Sequence, residues 1–264
     1  MTYTTLLAEQ TDGILTLTLH RPERRNALTP EMREELIHAL ESAQTRGVET
    51  LVLTGSGSAF CSGLDLSALE AIASSSPAEQ EADARRIAHL FRMLYTFPAP
   101  TIAAVNGAAI AGGTGLATLC DFTLAVPEAK FGYTEVRIGF IPAIVSAFLA
   151  VQIGQKQAKN LLLSGRIFTA HDALALGLVD EIVEAISPLP RAHALAAELL
   201  VNSPAAMRHT KQLFLAQSLP TLDRGIEDAI AANAQARLHP DFREGVRAFL
   251  EKRKPGWQRA TPHP

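Results

Sequence analysis

The chain begins with short segments in which hydrophobic and polar residues alternate. Longer segments follow in which hydrophobic residues recur at helical spacing. Residues 2–8 and 13–19 predict the two strands of a hairpin, with its turn at residues 11–13 (Thr-Asp-Gly). Residues 16–19 (Thr-Leu-Thr-Leu) alternate strictly, so we expect one face of that strand to be buried. A helix is then predicted to begin with Thr29 as its cap and Pro30 at its first position.

Strands and helices alternate through the first two-thirds of the chain. Apolar runs predict strands over residues 50–54, 101–105, 121–126, 130–132 and 178–183. Helical periodicity predicts helices over residues 78–97, 143–152, 154–163 and 170–176. Strand–strand–helix units recur at uneven intervals of roughly 40–50 residues, which indicates a repeated architecture rather than a sequence repeat.

The remaining part of the chain is predicted to be entirely helical. Its helices are expected over residues 190–202, 204–217, 221–237 and 240–252. This change from an α/β pattern to an all-α pattern predicts a core of residues 1–195 and a helical region of residues 196–264.

Composition and charge exclude several classes of protein. The chain has 264 residues, of which 47% are hydrophobic, and a formal net charge of −3, so neither nucleic acid nor an anionic membrane is expected as its main partner. No apolar run reaches membrane-spanning length and the N-terminus lacks the pattern of a secretory signal, which predicts a soluble cytoplasmic protein. The chain has two cysteines, Cys61 and Cys120, which are expected to be packed thiols in a reducing compartment. Its eight histidines are scattered, so no metal site is expected.

Two glycine-rich turns are the main candidates for chemistry. The predicted strand 101–105 leads into a segment with four glycines between residues 107 and 115, followed by a helical pattern. The predicted strand 50–54 leads into a similar segment that ends at Asp65, which is placed to cap the next helix. A strand that turns on glycines into a helix presents bare backbone N–H groups, because no Cβ blocks the approach of a ligand.

These turns have a catalytic and a structural interpretation. If the N–H groups of Leu64 and Gly112 face one cavity, they form an oxyanion hole that stabilises negative charge on a carbonyl oxygen. Each such donor typically lowers a barrier by roughly 3–4 kcal/mol. Otherwise both segments are tight packing turns, and the spacing between them does not decide between the two interpretations.

Several motifs together resemble one family. Residues 59–65 (Ala-Phe-Cys-Ser-Gly-Leu-Asp), 106–113 (Asn-Gly-Ala-Ala-Ile-Ala-Gly-Gly), 120–121 (Cys-Asp) and 131–135 (Phe-Gly-Tyr-Thr-Glu) are similar to the signature of the enoyl-CoA hydratase/isomerase (crotonase) family. The opening segment 21–28 and the closing segment 241–254 resemble that family as well. The resemblance runs along nearly the whole chain in the family's order.

The resemblance implies a fold and an assembly. It implies an α/β, crotonase-like spiral of ββα units, which binds the substrate and performs the chemistry in residues 1–195. It also implies an α-helical C-terminal region, residues 196–264, that mediates association into a homotrimer or a dimer of trimers. The apolar residues Ala206, Phe214, Phe242, Phe249 and Trp257 have two interpretations, subunit contact or packing onto their own chain.

The resemblance also assigns the site residues. It implies that the N–H groups of Leu64 and Gly112 bind the carbonyl of an acyl-CoA thioester and that Glu135 transfers the proton. Glu135 has two other interpretations, a salt bridge with Arg137 or a loop cap. The residues implied to bind coenzyme A or the acyl chain are Arg24, Arg25, Ala27, Ser62, Asp65, Leu66, Gly113, Gly115 and Pro142. Coenzyme A is part of the substrate, so no separate cofactor is implied, and the two arginines are alternatively solvated side chains on a turn.

The chain departs from the family at two places. Gly115 stands where a two-carboxylate hydratase has its second glutamate. The sequence does not decide what fills the space there, and a water, a bicarbonate or another carboxylate in it would keep hydration open. Residues 143–149 (Ala-Ile-Val-Ser-Ala-Phe-Leu) replace a glycine-rich stretch that helps to hold the attacking water. An apolar acyl pocket is expected from Ala108, Ile110, Ile141, Ile144 and Phe148.

The expected activity is therefore an enoyl-CoA reaction of fatty-acid type that uses a single glutamate. It is either double-bond isomerisation or hydration, and the enzyme is accordingly an isomerase or a lyase. The alternatives are a catalytically weak acyl-CoA-binding homologue or another enolate reaction of the same superfamily.

Overall fold

Two β-sheets organise the part of the chain that our computed structural model describes, residues 3–184 and 186–258. The strands are β1 (Leu6–Thr11), β2 (Ile14–Leu19), β3 (Thr50–Gly55), β4 (Ala59–Cys61), β5 (Thr101–Val105), β6 (Ala108–Ile110), β7 (Phe122–Ala125), β8 (Lys130–Gly132), β9 (Ile167–Thr169) and β10 (Glu181–Ile182). One sheet has the order β1-β2-β3-β5-β7-β10, and the other has the order β4-β6-β8-β9.

From β3 to β8, successive strands of the chain alternate between these two sheets. β3, β5 and β7 pair in parallel in the larger sheet, while β4, β6 and β8 pair in parallel in the smaller one. Each turn of the resulting spiral therefore adds one strand to each sheet. Every residue of β3 and β5 is buried, as expected for parallel strands covered on both faces.

Nine helices surround the sheets in the described residues. They are α1 (Pro30–Thr45), α2 (Leu66–Ser74), α3 (Pro77–Tyr95), α4 (Gly112–Thr118), α5 (Ala143–Ser164), α6 (Ala170–Ala175), α7 (Leu189–Leu200), α8 (Pro204–Leu238) and α9 (Pro240–Leu250). Both predicted caps are present, since the side chains of Thr29 and Asp65 accept hydrogen bonds from backbone N–H groups of α1 and α2. α5 is interrupted at Gly154, where φ is 73°, which accounts for the two helices predicted there.

The prediction of two helices over residues 204–217 and 221–237 is wrong, because α8 continues through Pro220. Proline usually ends a helix since it lacks an N–H and clashes with the preceding turn. Here the following segment is fixed by tertiary contacts: Leu222 and Ile226 are buried, and Asp223 pairs with Arg92 of α3 at 2.7 Å. Packing against the core therefore outweighs the local penalty of the proline.

Some strand predictions also need correction. The first strand is Leu6–Thr11, so residues 3–5 of the predicted strand 2–8 do not belong to it, and residue 2 lies outside the described residues. The last strand is only Glu181–Ile182 rather than 178–183. Leu178 and Val179 are apolar because they pack in the core, not because they belong to a ladder. β9 was not predicted, since this short strand pairs only along the edge of β8.

The C-terminal helices pack onto the core of the same chain. Phe242 of α9 is completely buried and its ring lies 4.9 Å from that of Phe140, so of its two interpretations the structure shows packing onto its own chain. Phe214 and Phe249 are 69% and 52% exposed, and the predicted trimeric or hexameric assembly stays a prediction. A search of the described helices finds none that is both long and apolar enough to cross a membrane.

Candidate active site

The two glycine-rich turns meet at the ends of neighbouring strands. β4 and β6 are adjacent and parallel, with Cys61 opposite Ala109. A Cβ built on Gly63 would lie 3.0 Å from the carbonyl oxygen of Ile110 and 3.1 Å from the Cβ of Ala111. Gly63 and Ala111 directly precede Leu64 and Gly112, so the two predicted N–H donors lie on backbone segments in contact.

The N–H group of Leu64 points away from Leu28, the residue with which Leu64 forms a β-bridge. Leu28 and Leu64 form an isolated parallel bridge. In it, the Leu28 N–H donates to the carbonyl oxygen of Gly63, and the Asp65 N–H donates to the carbonyl oxygen of Leu28. Leu64 lies between Gly63 and Asp65, which make these two bonds. In a parallel bridge, a residue in this position directs its own N–H away from the partner strand. No acceptor for the Leu64 N–H occurs among the hydrogen bonds of the described residues.

The N–H group of Gly112 is likewise without an acceptor in the described chain. Gly112 is the first residue of α4, so its N–H has no partner within the helix. The preceding Ala111 has φ 51° and ψ −121°, an unusual conformation for a residue with a Cβ, and its N–H donates to Gly132. This strained residue sets the direction in which the Gly112 N–H points.

Glu135 lines the same cavity of about 470 Å³ as Leu64 and Gly112. Its Oε2 atom is buried without a hydrogen-bond partner in the described residues. Burial raises the pKa of Glu135 to about 7, and a hydrogen bond from its own backbone N–H opposes this shift only in part. None of the ion pairs in the described chain involves Glu135, which removes the predicted alternative of a salt bridge with Arg137.

Gly115 faces packed side chains rather than open space. A Cβ at this position would lie 2.9 Å from Cε2 of Phe91 and 2.9 Å from Cγ1 of Val145. Phe91 and Val145 therefore fill the space at Gly115, which the sequence left open to a water, a bicarbonate or a carboxylate. Gly115 does not line the cavity, and neither does Gly113, where an added Cβ would clash with the carbonyl oxygen of Cys61.

The predicted acyl pocket is present only in part. Ile110, Ile141 and Ile144 line the cavity, as do Ser62 and Pro142 from the predicted substrate-binding set. Ala108 and Phe148 do not line it, since Phe148 is instead buried against Tyr95 with their rings 5.3 Å apart.

The predicted coenzyme A loop runs beside the first turn. Arg24 and Arg25 are exposed and Ala27 is buried; none of the three lines the cavity. The loop is fixed by buried Asn26, whose side-chain amide donates to the carbonyl oxygens of Ser56 and Ala59. The Ser62 N–H donates to Arg25 at 3.1 Å, which holds the loop against the turn.

The last two members of the predicted substrate-binding set lie at the start of α2. The carboxylate of Asp65 caps α2 and pairs with Arg21 at 3.0 Å, and it does not line the cavity. The side chain of Leu66 lies outside the described part of the structure.

Both cysteines are packed in the interior of the protein. Cys61 and Cys120 are buried free thiols, and burial raises the pKa of each to about 12. A thiol that stays protonated is a poor nucleophile, so neither residue is placed for covalent chemistry.

Sequence reasoning missed the part of the cavity that helices build. Arg33 of α1, Asp83 of α3, and Asn233 and Arg237 of α8 line it. So do residues at and after the end of α9, including Phe249, Arg253 and Lys254. The C-terminal region therefore contributes to the cavity of its own chain. Residues on helices so far apart in sequence give no local motif, and only the packing of α1, α3 and α8 brings them together.

Comparison with known proteins agrees with this architecture. The enoyl-CoA hydratase/isomerase family model matches residues 9–260. A Thermus thermophilus protein named "Putative enoyl-CoA hydratase" is 47% identical over 90% of this chain and 94% of its own length. Crotonyl-CoA hydratase of Syntrophomonas wolfei is 32% identical over 96% of this chain and 98% of its own length.

A solved structure shows the same fold. An enoyl-CoA hydratase from Bacillus halodurans superimposes with a TM-score of 0.86, covering 93% of this chain and all of that one at 27% identity. The predicted α/β spiral with a helical C-terminal region is thereby confirmed. With a family match along nearly its whole length, relatives of more than 30% identity and this fold, the chain belongs to the enoyl-CoA hydratase/isomerase family and is an acyl-CoA-processing enzyme.

Proposed function

We propose that the protein isomerises a 3-enoyl-CoA thioester to the 2-enoyl-CoA thioester, with Glu135 as the single proton carrier. One observation carries the proposal: Glu135 is the carboxylate of the described cavity that has no cationic partner. The other carboxylate there, Asp83, is held between Arg33 and Arg237. Of these two carboxylates, only Glu135 is therefore free to take up and release a proton.

The reaction begins when ionised Glu135 removes a proton from carbon 2, next to the thioester carbonyl. The electron pair moves onto the carbonyl oxygen to give a dienolate, which the N–H groups of Leu64 and Gly112 stabilise. Glu135 then returns the proton to carbon 4, and the double bond forms between carbons 2 and 3. The carboxylate is regenerated, and no other reactant is consumed.

The surroundings of Glu135 suit this role. A general base works best with a pKa near the working pH, and burial brings the pKa of Glu135 to about 7. Ala143, Ile144 and Val145 line the same cavity, and their apolar side chains cannot orient a water. Gly115 brings no second carboxylate, and Phe91 and Val145 fill the space beside it.

Hydration of a 2-enoyl-CoA is the second candidate, and the names of the relatives favour it. Several of them, including the crotonyl-CoA hydratase, are named hydratases. With a pKa of about 7, Glu135 is present in both protonation states near neutral pH, so a single residue has access to both the base and the acid form. A water would then have to be held by the substrate and Glu135 alone.

Product analysis separates these reactions. We would give the enzyme 3-hexenoyl-CoA and 2-hexenoyl-CoA and follow the absorbance of the conjugated thioester. An isomerase creates this absorbance from the 3-enoyl substrate, whereas a hydratase removes it from the 2-enoyl substrate. We expect Glu135→Gln to lower the rate by a factor of about 10²–10⁴.

Glu128→Gln is the matched control, because Glu128 is exposed and does not line the cavity. It should keep the parent's rate. The proposal fails if the parent converts neither thioester, which would favour an acyl-CoA-binding role, or if Glu135→Gln is as active as the parent.

A further inference from the structure

A buried cluster of charged side chains forms one wall of the cavity. Arg33 Nη2 lies 2.5 Å from Asp83 Oδ1, and Arg237 Nη2 lies 2.8 Å from Asp83 Oδ2. Arg237 also donates from Nη1 to the backbone carbonyl oxygen of Gln80 at 3.1 Å. Arg33 and Arg237 are only 3% and 2% exposed, so bulk water does not solvate their charges.

The cluster is left with an excess of positive charge. Two guanidinium groups stay protonated at physiological pH, and Asp83 supplies one negative charge between them. Burial lowers the pKa of Arg237, and the neighbouring charge of Arg33 lowers it further, while Asp83 raises it. An unbalanced charge in a desolvated site favours binding of an anion.

The cluster also has hydrogen-bonding groups to spare. Arg33 Nε, Arg33 Nη1 and Arg237 Nε are buried without an acceptor in the described chain. Buried polar groups normally find partners, and each group left without one is destabilising. Such a concentration beside one cavity indicates that a ligand completes it.

Phe140 connects this cluster with the segment that carries Glu135. The guanidinium carbon of Arg237 lies 5.6 Å from the centre of the Phe140 ring, and the Phe140 N–H donates to the carbonyl oxygen of Glu135. Phe140 and Leu69 line the cavity as well, so a stretch of apolar lining accompanies Glu135 and the arginines. An acyl chain whose thioester lies at Leu64 and Gly112 could cross this stretch with its far end toward Arg237.

We propose that Arg33 and Arg237, held in place by Asp83, bind a carboxylate at the far end of the acyl chain. The preferred substrates are then thioesters of dicarboxylic acids, with coenzyme A on one carboxyl group and the other free. The proposal rests on the proposed function only in placing the thioester at Leu64 and Gly112. A carboxylate balances the cluster's charge and accepts from guanidinium N–H groups, whereas a methyl terminus leaves them unpaired.

Binding of saturated thioesters tests the proposal without any turnover. Calorimetry would compare adipyl-CoA with hexanoyl-CoA and suberyl-CoA with octanoyl-CoA, pairs that match in length and differ in the free carboxylate. We expect the parent to bind at least one dicarboxylate thioester tenfold or more tightly than its partner. Loss of adipyl-CoA and hexanoyl-CoA binding together would instead indicate failure of the acyl-CoA site.

Two variants of different kinds test the residues. Arg237→Met removes a guanidinium, and Asn233→Asp adds a negative charge at nearly constant size; each should reduce the preference for the dicarboxylate tenfold or more. Arg92→Met is the matched control, because Arg92 pairs with Asp223 between the same helices, α3 and α8, outside the cavity. It should leave the preference unchanged.

A purely structural cluster predicts a different result. In that case, Arg237→Met would weaken both members of a pair equally and lower thermal stability, and the affinity ratio would stay constant. That result, or a parent that binds the methyl-ended thioesters as tightly, overturns the proposal. The measurement compares the affinities of saturated thioesters that do not react. Its outcome therefore does not depend on whether the enzyme isomerises or hydrates an enoyl-CoA.

Discussion

Gly63 and Ala111 lie so close that a Cβ added to Gly63 would be 3.1 Å from the Cβ of Ala111. Each residue precedes one of the two proposed oxyanion donors, so the contact couples the positions of the Leu64 and Gly112 N–H groups. Gly63 has φ 88°, a conformation that few residues with a side chain adopt. A side chain at this position would disturb both the backbone and the contact.

Gly63→Ala should therefore impair catalysis more than folding. We expect a loss of stability of about 1–3 kcal/mol from strain and overpacking. We expect kcat/KM for an enoyl-CoA to fall by a factor of about 10² or more, because misplaced donors no longer match the developing oxyanion. Steady-state kinetics and urea unfolding measure the two effects.

Gly47→Ala is the control for backbone strain alone. Gly47 has φ 68°, and its added Cβ would meet nothing within 4 Å. The variant should lose stability of roughly 1 kcal/mol with unchanged kcat/KM. Equal activity losses in the two variants would contradict the coupling of Gly63 to the donors.

Gly115→Ala should destabilise the protein by about 1–3 kcal/mol through contact with Phe91 and Val145. Phe91→Leu is expected to relieve part of this clash, so the double variant should be more stable than the sum of the single effects. A double-mutant cycle of unfolding free energies measures this coupling.

Gly225→Ala provides the contrast within a helix. Its added Cβ would lie 3.5 Å from the Cβ of Ala147, which is ordinary contact. Because alanine favours helix more than glycine does, this variant should gain roughly 0.5–1 kcal/mol. If Gly115→Ala were equally stabilising, Phe91 and Val145 would not fill the site as described.

The pH dependence of isomerisation should report the pKa of Glu135. The proposed base acts in its ionised form, and burial raises its pKa to about 7. The value of kcat/KM should therefore fall about tenfold per pH unit below this pKa and level off above it. Rate measurements between pH 5 and 9 test this, and a rate that falls as the pH rises through 7 would contradict the role as base.

Glu135→Gln should stabilise the protein at neutral and alkaline pH. The pKa of the folded state is raised above its ordinary value of 4.5, so the ionised form is disfavoured by folding. The resulting loss of stability begins above pH 4.5 and is complete above about pH 7, where the shift corresponds to about 3 kcal/mol. Glutamine has no charge to bury and avoids this loss.

Thermal unfolding of parent and variant across the pH range measures this effect. The midpoints should coincide near pH 4 and separate as the pH rises, with the variant higher. Glu128→Gln, at an exposed position, should show no such separation. A constant difference at all pH values would mean that the variant acts through packing or hydrogen bonding instead of charge.

Local signals in the sequence predicted much of the fold and the centre of the site. The caps Thr29 and Asp65 and the turn at Asp12 depend on residues adjacent in the chain, and all three are present. The two glycine turns and Glu135 were likewise recognised from short motifs. α8 was divided wrongly at Pro220, because contacts with α3 and α5 outweigh the local preference.

By itself, the sequence determined the strand–glycine–helix turns and the family, and it singled out Glu135 as the candidate proton carrier. These depend on residue types at fixed short spacings, since backbone conformation and capping are local. Only the tertiary structure decided that Phe91 and Val145 fill the space at Gly115 and that Arg33 and Arg237 meet at Asp83. The physical reason is that packing and buried charge depend on which distant segments come together in the fold. The local sequence of one segment does not specify which other segments it will contact.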